Sequence, residues 1–337
     1  MKRIMILSLI LIFLASLPAT AKMKKLGQAG MTFLKIGGSA RAAGMAGVFD
    51  FAQGDLASVF YNPAGLASVK NRAFFFNYTS WIADMSVSHI AASWDFDTYG
   101  VLALTAQSMN YGEIYGTEIS DTDPRGFTDI DVGNVGALAL GVSYGKQMTD
   151  KFSIGGSVSW VTQKLGVNDT YTGNELDVEA KQNKVSGLSF NFGTNYDTGI
   201  RSVHLTMSIR NYSAQMLYEN EEFQLPQTYK IGLSANLFEL LPFLGGPEKS
   251  LILAVEGVDA RDRPEYLNVG MEYSLLNMID LRAGWAAQRK EDTSGGICAG
   301  AGLKLDNLGF AGRLDIAYSD FGGVFGSVMR VSVQGSF

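Results

Sequence analysis

From about Arg72 to Phe337, apolar and polar residues alternate along the chain. That period-2 pattern is the mark of a strand with two unlike faces. In Val203–Arg210 every odd residue is apolar and every even residue polar. Phe152, Ile154, Val158 and Trp160 oppose Ser153, Ser157 and Ser159 in the same way. The pattern recurs over 229–237, 267–274 and 279–285. It predicts fourteen strands, starting near Arg72, Met85, Tyr99, Asn134, Lys151, Lys184, Val203, Thr228, Leu251, Tyr266, Ile279, Gly296, Leu308 and Val324. Most are about ten residues long, the length at which a tilted strand crosses a bilayer.

The connections alternate too. Tight turns are expected at 95–98, 147–150, 197–200 and 306–307, and long polar loops at 111–133, 166–183 and 211–227. Short turns at one rim and long loops at the other describe a transmembrane antiparallel β-barrel, all-β in class, with both ends of the barrel sheet on the short-turn side. The long segment 238–250 breaks this trend. Strands cross hydrocarbon only as a closed barrel, because every backbone group there must be paired. The apolar face then meets lipid, with Leu205 and Val331 outward and Thr206 and Ser332 inward. On that basis a charge is better tolerated at Ser332 than at Val331. The inward face carries Arg210, Lys230, Glu256, Glu272, Arg282, Arg313, Asp315 and Arg330. Such charges either brace the barrel and its contents or line a solute path.

Two segments lie outside the alternation. Lys2 and Arg3, an apolar run over 4–17, Pro18 and Ala19-Thr20-Ala21 form a secretory leader expected to be cleaved after Ala21. Residues 22–71 are rich in Gly and Ala with scattered Phe33, Leu34, Ile36, Met45 and Phe49, and end in the turn Asn62-Pro63-Ala64-Gly65. A compact apolar segment ahead of a barrel predicts a small N-terminal hatch, or plug, inside the lumen. The expected organisation is therefore leader 1–21, hatch 22–71 and barrel 72–337.

Composition narrows the function. The chain has 39 Gly, 7 Pro, 14 Tyr and 20 Phe, which excludes collagen-like and disordered classes. A formal charge of −6 with scattered Lys and Arg argues against nucleic acid. One cysteine, Cys298, gives no disulfide framework, and two histidines, His89 and His204, are too few for a usual zinc site. Neither histidine sits in a nucleophile signature, so each is expected to be a hydrogen-bonded wall residue in a protein that is not an enzyme. Asp121, Asp123, Asp129 and Asp131 crowd the loop 113–131. Val132 stands where a calcium loop needs Glu, so that loop reads as a solvated acidic surface. Gly295–Gly302 lacks the following helix of a dinucleotide loop. Gly296, Gly300 and Gly302 are expected to form a smooth inward wall against the hatch. No cofactor is implied. The chain ends on an alternating strand with a terminal aromatic, Phe337, the form of signal that barrel-assembly machinery reads.

The run Gly30–Gly47, with Gly37-Gly38-Ser39-Ala40-Arg41, followed by Asp55–Leu66 with Tyr61-Asn62-Pro63-Ala64-Gly65, resembles the PorV/PorQ family of FadL-like outer-membrane proteins. Leu281–Trp285, Gly300–Lys304 and Ala317–Gly322 agree with it. The resemblance implies a 14-stranded barrel in the outer membrane of a Gram-negative cell, with Asn62, Pro63 and Ala64 in the hatch. It implies three functional readings. One is a component associated with type IX secretion that receives secreted proteins or meets other secretion-system parts. Another is FadL-like uptake of small hydrophobic molecules. The third is a structural barrel with no conducted solute. Outer-membrane lipid and the assembly machinery are expected partners in all three.

Overall fold

The structure is a computed structural model that describes residues 29–133, 135–171, 178–241, 243, 249–287, 296–307, 310–322 and 326–337. The expected leader and residues 22–28 of the expected hatch lie outside these. So do the turn beyond Asn307 and parts of the loops near 172–177 and 288–295.

Fourteen strands form a closed antiparallel barrel. In chain order they are β1 (Arg72–Ser80), β2 (Ser86–Asp95), β3 (Val101–Asn110), β4 (Val135–Thr149), β5 (Phe152–Tyr171), β6 (Val178–Asp197) and β7 (His204–Tyr212). The second half comprises β8 (Thr228–Asn236), β9 (Lys249–Ala260), β10 (Tyr266–Leu275), β11 (Ile279–Ala287), β12 (Ile297–Asn307), β13 (Phe310–Asp320) and β14 (Ser327–Ser336). Each pairs with its neighbour in sequence, and β1 closes on β14 with Ala73 opposite Ser336. Closure leaves no free sheet edge at the seam.

Thirteen strands begin within a few residues of the positions set by alternation. The sixth does not: β6 begins at Val178, not near Lys184, and pairs with β5 as far as Tyr171 opposite Val178. The polar stretch expected as a loop is therefore largely a hairpin. Its composition reported solvent on both faces, and ladder hydrogen bonds need no apolar side chain. The other long loops carry small hairpins of their own, Tyr115–Ile119 with Phe127–Asp131 and Met216–Tyr218 with Glu221–Phe223. The segment after β8 opens with a short helix, α1 (Leu237–Leu240), whose Phe238 packs edge-on against Tyr273.

The faces divide as the pleat requires. Outward Phe74, Phe76, Ile90, Leu140, Val158, Ile231, Ile316, Met329 and Val331 are exposed, whereas inward Thr206, Ser208, Arg330 and Ser332 are buried. Ser332 corrects the tolerance expected of an inward site. Its hydroxyl accepts from the Ala40 N–H (2.7 Å) and donates to Asn77 Oδ1 (2.9 Å), so a larger charged side chain there meets packed protein, not open water.

Candidate functional site

The inner wall is occupied by the chain's own N-terminal segment. Gly30 lies at the long-loop rim, where its N–H donates to the Gln224 carbonyl (3.1 Å) and it packs against Phe223. From there the chain runs down the lumen to Arg72, at the short-turn rim beside Phe337. It forms short helical turns, Thr32–Lys35 without a side-chain cap and three more begun by a side chain that accepts a backbone N–H. Ser39 caps Ala40–Gly44, Asp55 caps Leu56–Phe60 and Asn62 caps Pro63–Ser68 with Pro at the first position. Such short turns do not persist alone. Burial holds them: Phe33, Met45, Phe49, Leu56, Ala64 and Leu66 are all almost wholly enclosed.

Two glycine patches in the wall receive them. Gly145, Gly155 and Gly193 lie opposite or next to one another on β4, β5 and β6. A methyl group on Gly155 would stand 2.3 Å from the Pro63 carbonyl carbon, and one on Gly193 would stand 1.8 Å from Asn62 Oδ1. Asn62 is fully buried. Its amide donates to the carbonyls of Asp50 (3.2 Å) and Thr194 (3.1 Å), and its Oδ1 accepts from the Ala64 N–H (3.0 Å). On the other side Met45 presses on Gly270 and Gly284, and Gly44 on Gly300. Of the glycines expected to face the hatch, only Gly300 does so. Gly302 makes room for Asp315 and Arg282, and Gly296 lies by the Asp320 carbonyl. Gly193→Val is therefore expected to push the Asn62–Ala64 turn off the wall, at a cost of about 1–3 kcal/mol. Denaturant unfolding and protease cleavage within 60–70 report this, and wild-type behaviour in both would show that the turn is not seated there.

The inward charges expected from the sequence form two groups. In the half near the short turns, Arg282 contacts Glu272 (2.6 Å), Asp280 (2.9 Å) and Asp315 (2.9 Å). Arg313 reaches Asp280 (2.7 Å) and Asp315 (3.0 Å), and Lys304 reaches Asp280 (2.9 Å). The N-terminal segment joins this wall network through Arg41, which bridges Asp55 (2.9 Å) and Glu272 (2.5 Å). Deeper along the wall, Lys230 pairs with Glu256 (2.8 Å), whose Oε1 accepts the N–H groups of Phe49 and Asp50 (2.7 and 2.8 Å). Ser208 donates to the Asp50 carboxylate. Arg210 and Arg330 stand apart from both groups. Sequence reasoning missed Arg41, Asp50, Asp55, Asp280 and Lys304. Charges inside a Gly/Ala-rich apolar run were the available signal for the first three, because a buried charge needs a partner.

Above the segment, toward the long loops, lies a cavity of about 630 Å³. Its floor includes Gly37, Ala43 and Tyr61; its walls include Trp81, Tyr111, Tyr266 and Phe321. Cys298 borders it and is otherwise buried. His89 lies outside it, packed edge-on to Phe60 with ring centroids 5.0 Å apart. The His89 ring is hydrogen-bonded to the Ile36 backbone, as expected of a wall histidine, while among the described residues the Nδ1 atoms of His89 and His204 find no partner. In the acidic loop, Arg125 sits on Asp123 (3.0 Å) and Asp129 (3.4 Å), and hydrogen bonds from its side chain and backbone N–H hold the Asp123 carboxyl below the usual range. Among the described residues no three His, Cys, Asp or Glu side chains are arranged to hold a metal ion.

Several solved structures share this barrel fold. The Pseudomonas putida toluene transporter TodX matches with a TM-score of 0.58 at 11% identity, over 93% of this chain and 98% of that one. The Ralstonia pickettii toluene transporter TbuX matches at 0.54 and 12% identity, over 89% and 97%. A Pseudomonas aeruginosa FadL homologue matches at 0.52 and 11% identity, over 93% and 99%. The chain has the FadL-like barrel fold. At these identities the likeness is one of fold. No protein-family profile matches the chain, and no curated protein matches it in sequence.

Proposed function

We propose that this FadL-like barrel is an outer-membrane channel for small hydrophobic molecules, with residues 30–71 as its plug. The observation that carries the reading is the cavity of about 630 Å³ between the long-loop rim and the proposed plug, lined by Phe33, Ile36, Trp81, Tyr111, Tyr266 and Phe321 together with several Lys and Arg side chains. Concave, mostly apolar sites with a few polar groups are the usual form of small-molecule sites. The exposed outward band of Phe, Ile, Leu and Val supports the membrane setting, because an apolar surface of that extent is not stable in water. Two of the similar barrels are toluene transporters by name. Phe337, whose N–H and carbonyl pair with Arg72, is available at the barrel seam as the assembly signal. The resemblance to PorV/PorQ proteins favours a second reading, docking of secreted proteins on the long loops. That reading makes no use of the cavity.

The test is uptake of radiolabelled toluene by cells of a porin-poor Gram-negative host. Cells with the barrel in the outer-membrane fraction are expected to accumulate the label faster than cells without it. Equal rates with the barrel inserted would sink the channel reading and leave docking as the better one.

A further inference from the structure

Among the described residues, five cationic side chains border the cavity, Lys35, Arg210, Lys230, Arg263 and Arg330, against one carboxylate, the exposed Asp320. Lys35 is held by Asp262 and Lys230 by Glu256. Among the described residues neither Arg210 nor Arg330 has a carboxylate within salt-bridge reach. Arg210 touches only the Leu34 carbonyl, at 3.4 Å, and lies 5.6 Å over the Tyr61 ring. Arg330 is the sharper case. It is 6% exposed, its Nη1 donates to Ser319 Oγ (3.1 Å), and its guanidinium lies 5.5 Å over the Trp81 ring. Among the described residues its Nε has no hydrogen-bond partner.

A guanidinium offers five donors and keeps its charge at any physiological pH. Burying one without an anion is costly, and a bound anion removes that cost. The groups around Arg330 are aromatic: Trp81 and Phe321 meet edge to face at 5.2 Å, and Tyr111 and Tyr266 complete the wall. Rings favour edge and offset contact with other rings.

We propose that the cavity binds an aromatic carboxylate, its carboxylate on Arg330 with Arg210 adding positive field, its ring against Trp81 and Phe321. This rests on the reading of the cavity as the solute site and names the class of solute. A neutral arene would leave the Arg330 Nε unsatisfied, whereas a carboxylate accepts from it with a charge-assisted hydrogen bond.

The experiment uses the full chain folded in detergent and equilibrium dialysis with three labelled probes: 2-naphthoate, its neutral isostere 2-methylnaphthalene, and palmitate. Naphthoate is expected to bind at least about tenfold more tightly than methylnaphthalene, the scale of a hydrogen bond to a charged group. Arg330→Gln should abolish that preference by weakening naphthoate binding at least about tenfold. Should Arg330→Gln not fold, the wild-type comparison decides, together with alkylation of Cys298 by a neutral maleimide. Naphthoate, and not methylnaphthalene at the same concentration, is expected to slow that alkylation. Equal affinity for the two naphthalenes, an undiminished preference in Arg330→Gln, or tighter binding of palmitate than naphthoate would each overturn the proposal. Toluene uptake without naphthoate binding would reject this site and leave the channel standing. Naphthoate binding without uptake would do the reverse.

Discussion

Replacing Arg282 by Met is expected to destabilise the folded barrel by about 3–5 kcal/mol, the cost of removing one partner from a buried charge network. Arg282 has no exposed side-chain surface and serves Glu272 on β10, Asp280 on its own strand and Asp315 on β13. The network is balanced: Arg41, Arg282, Lys304 and Arg313 face Asp55, Glu272, Asp280 and Asp315. Methionine fills much of the space but leaves one carboxylate too many, in a region from which water is largely excluded. Arg41 and Arg313 still reach Glu272, and Lys304 and Arg313 still reach Asp280, so the excess falls mainly on Asp315. Adding Asp315→Asn restores the count and should recover part of the loss. Urea unfolding in detergent, followed by tryptophan fluorescence, measures both variants. A loss below about 1 kcal/mol in the single variant would mean that the network behaves as solvated surface pairs do, and that the lumen there is wet.

Deleting residues 30–65 should turn an electrically silent barrel into a steady open pore in planar bilayers. A barrel of fourteen strands encloses more space than its own inward side chains fill, since width grows with strand number. On the proposed reading the difference is made up by residues 30–71, whose turns sit on Gly145, Gly155 and Gly193 on one side and on Gly270, Gly284 and Gly300 on the other. Without the plug these glycines face an empty lumen. The wall keeps internal pairs, Arg282 with Glu272 and Lys230 with Glu256, so the barrel itself should still form and still shift on gels after boiling. Intact protein that already conducts, with deletion changing nothing, would show that the segment does not close the lumen.

Strand number, facing and the two unlike rims were legible in the sequence because each follows from a local rule. A side chain on a strand points to one face or the other with period two, so Val331 and Ser332 declare opposite environments without any knowledge of their neighbours. The Asn62-Pro63 turn was equally local. What the inward charges do was not local. Arg282 and Asp280 could be placed on the same face from their spacing. Their pairing with Asp315, and with Arg41 by way of Glu272, depends on strand register and on a segment more than two hundred residues away. The polar hairpin β5–β6 was missed for a related reason, since polarity reports solvent and not backbone pairing. The glycine patches were invisible because Gly145, Gly155 and Gly193 are scattered in sequence, and only the ladder brings them side by side. The sequence by itself determined a closed sheet with an apolar outside. Tertiary structure alone decided which wall residues the N-terminal segment meets, which charges are left over, and where a solute would find them.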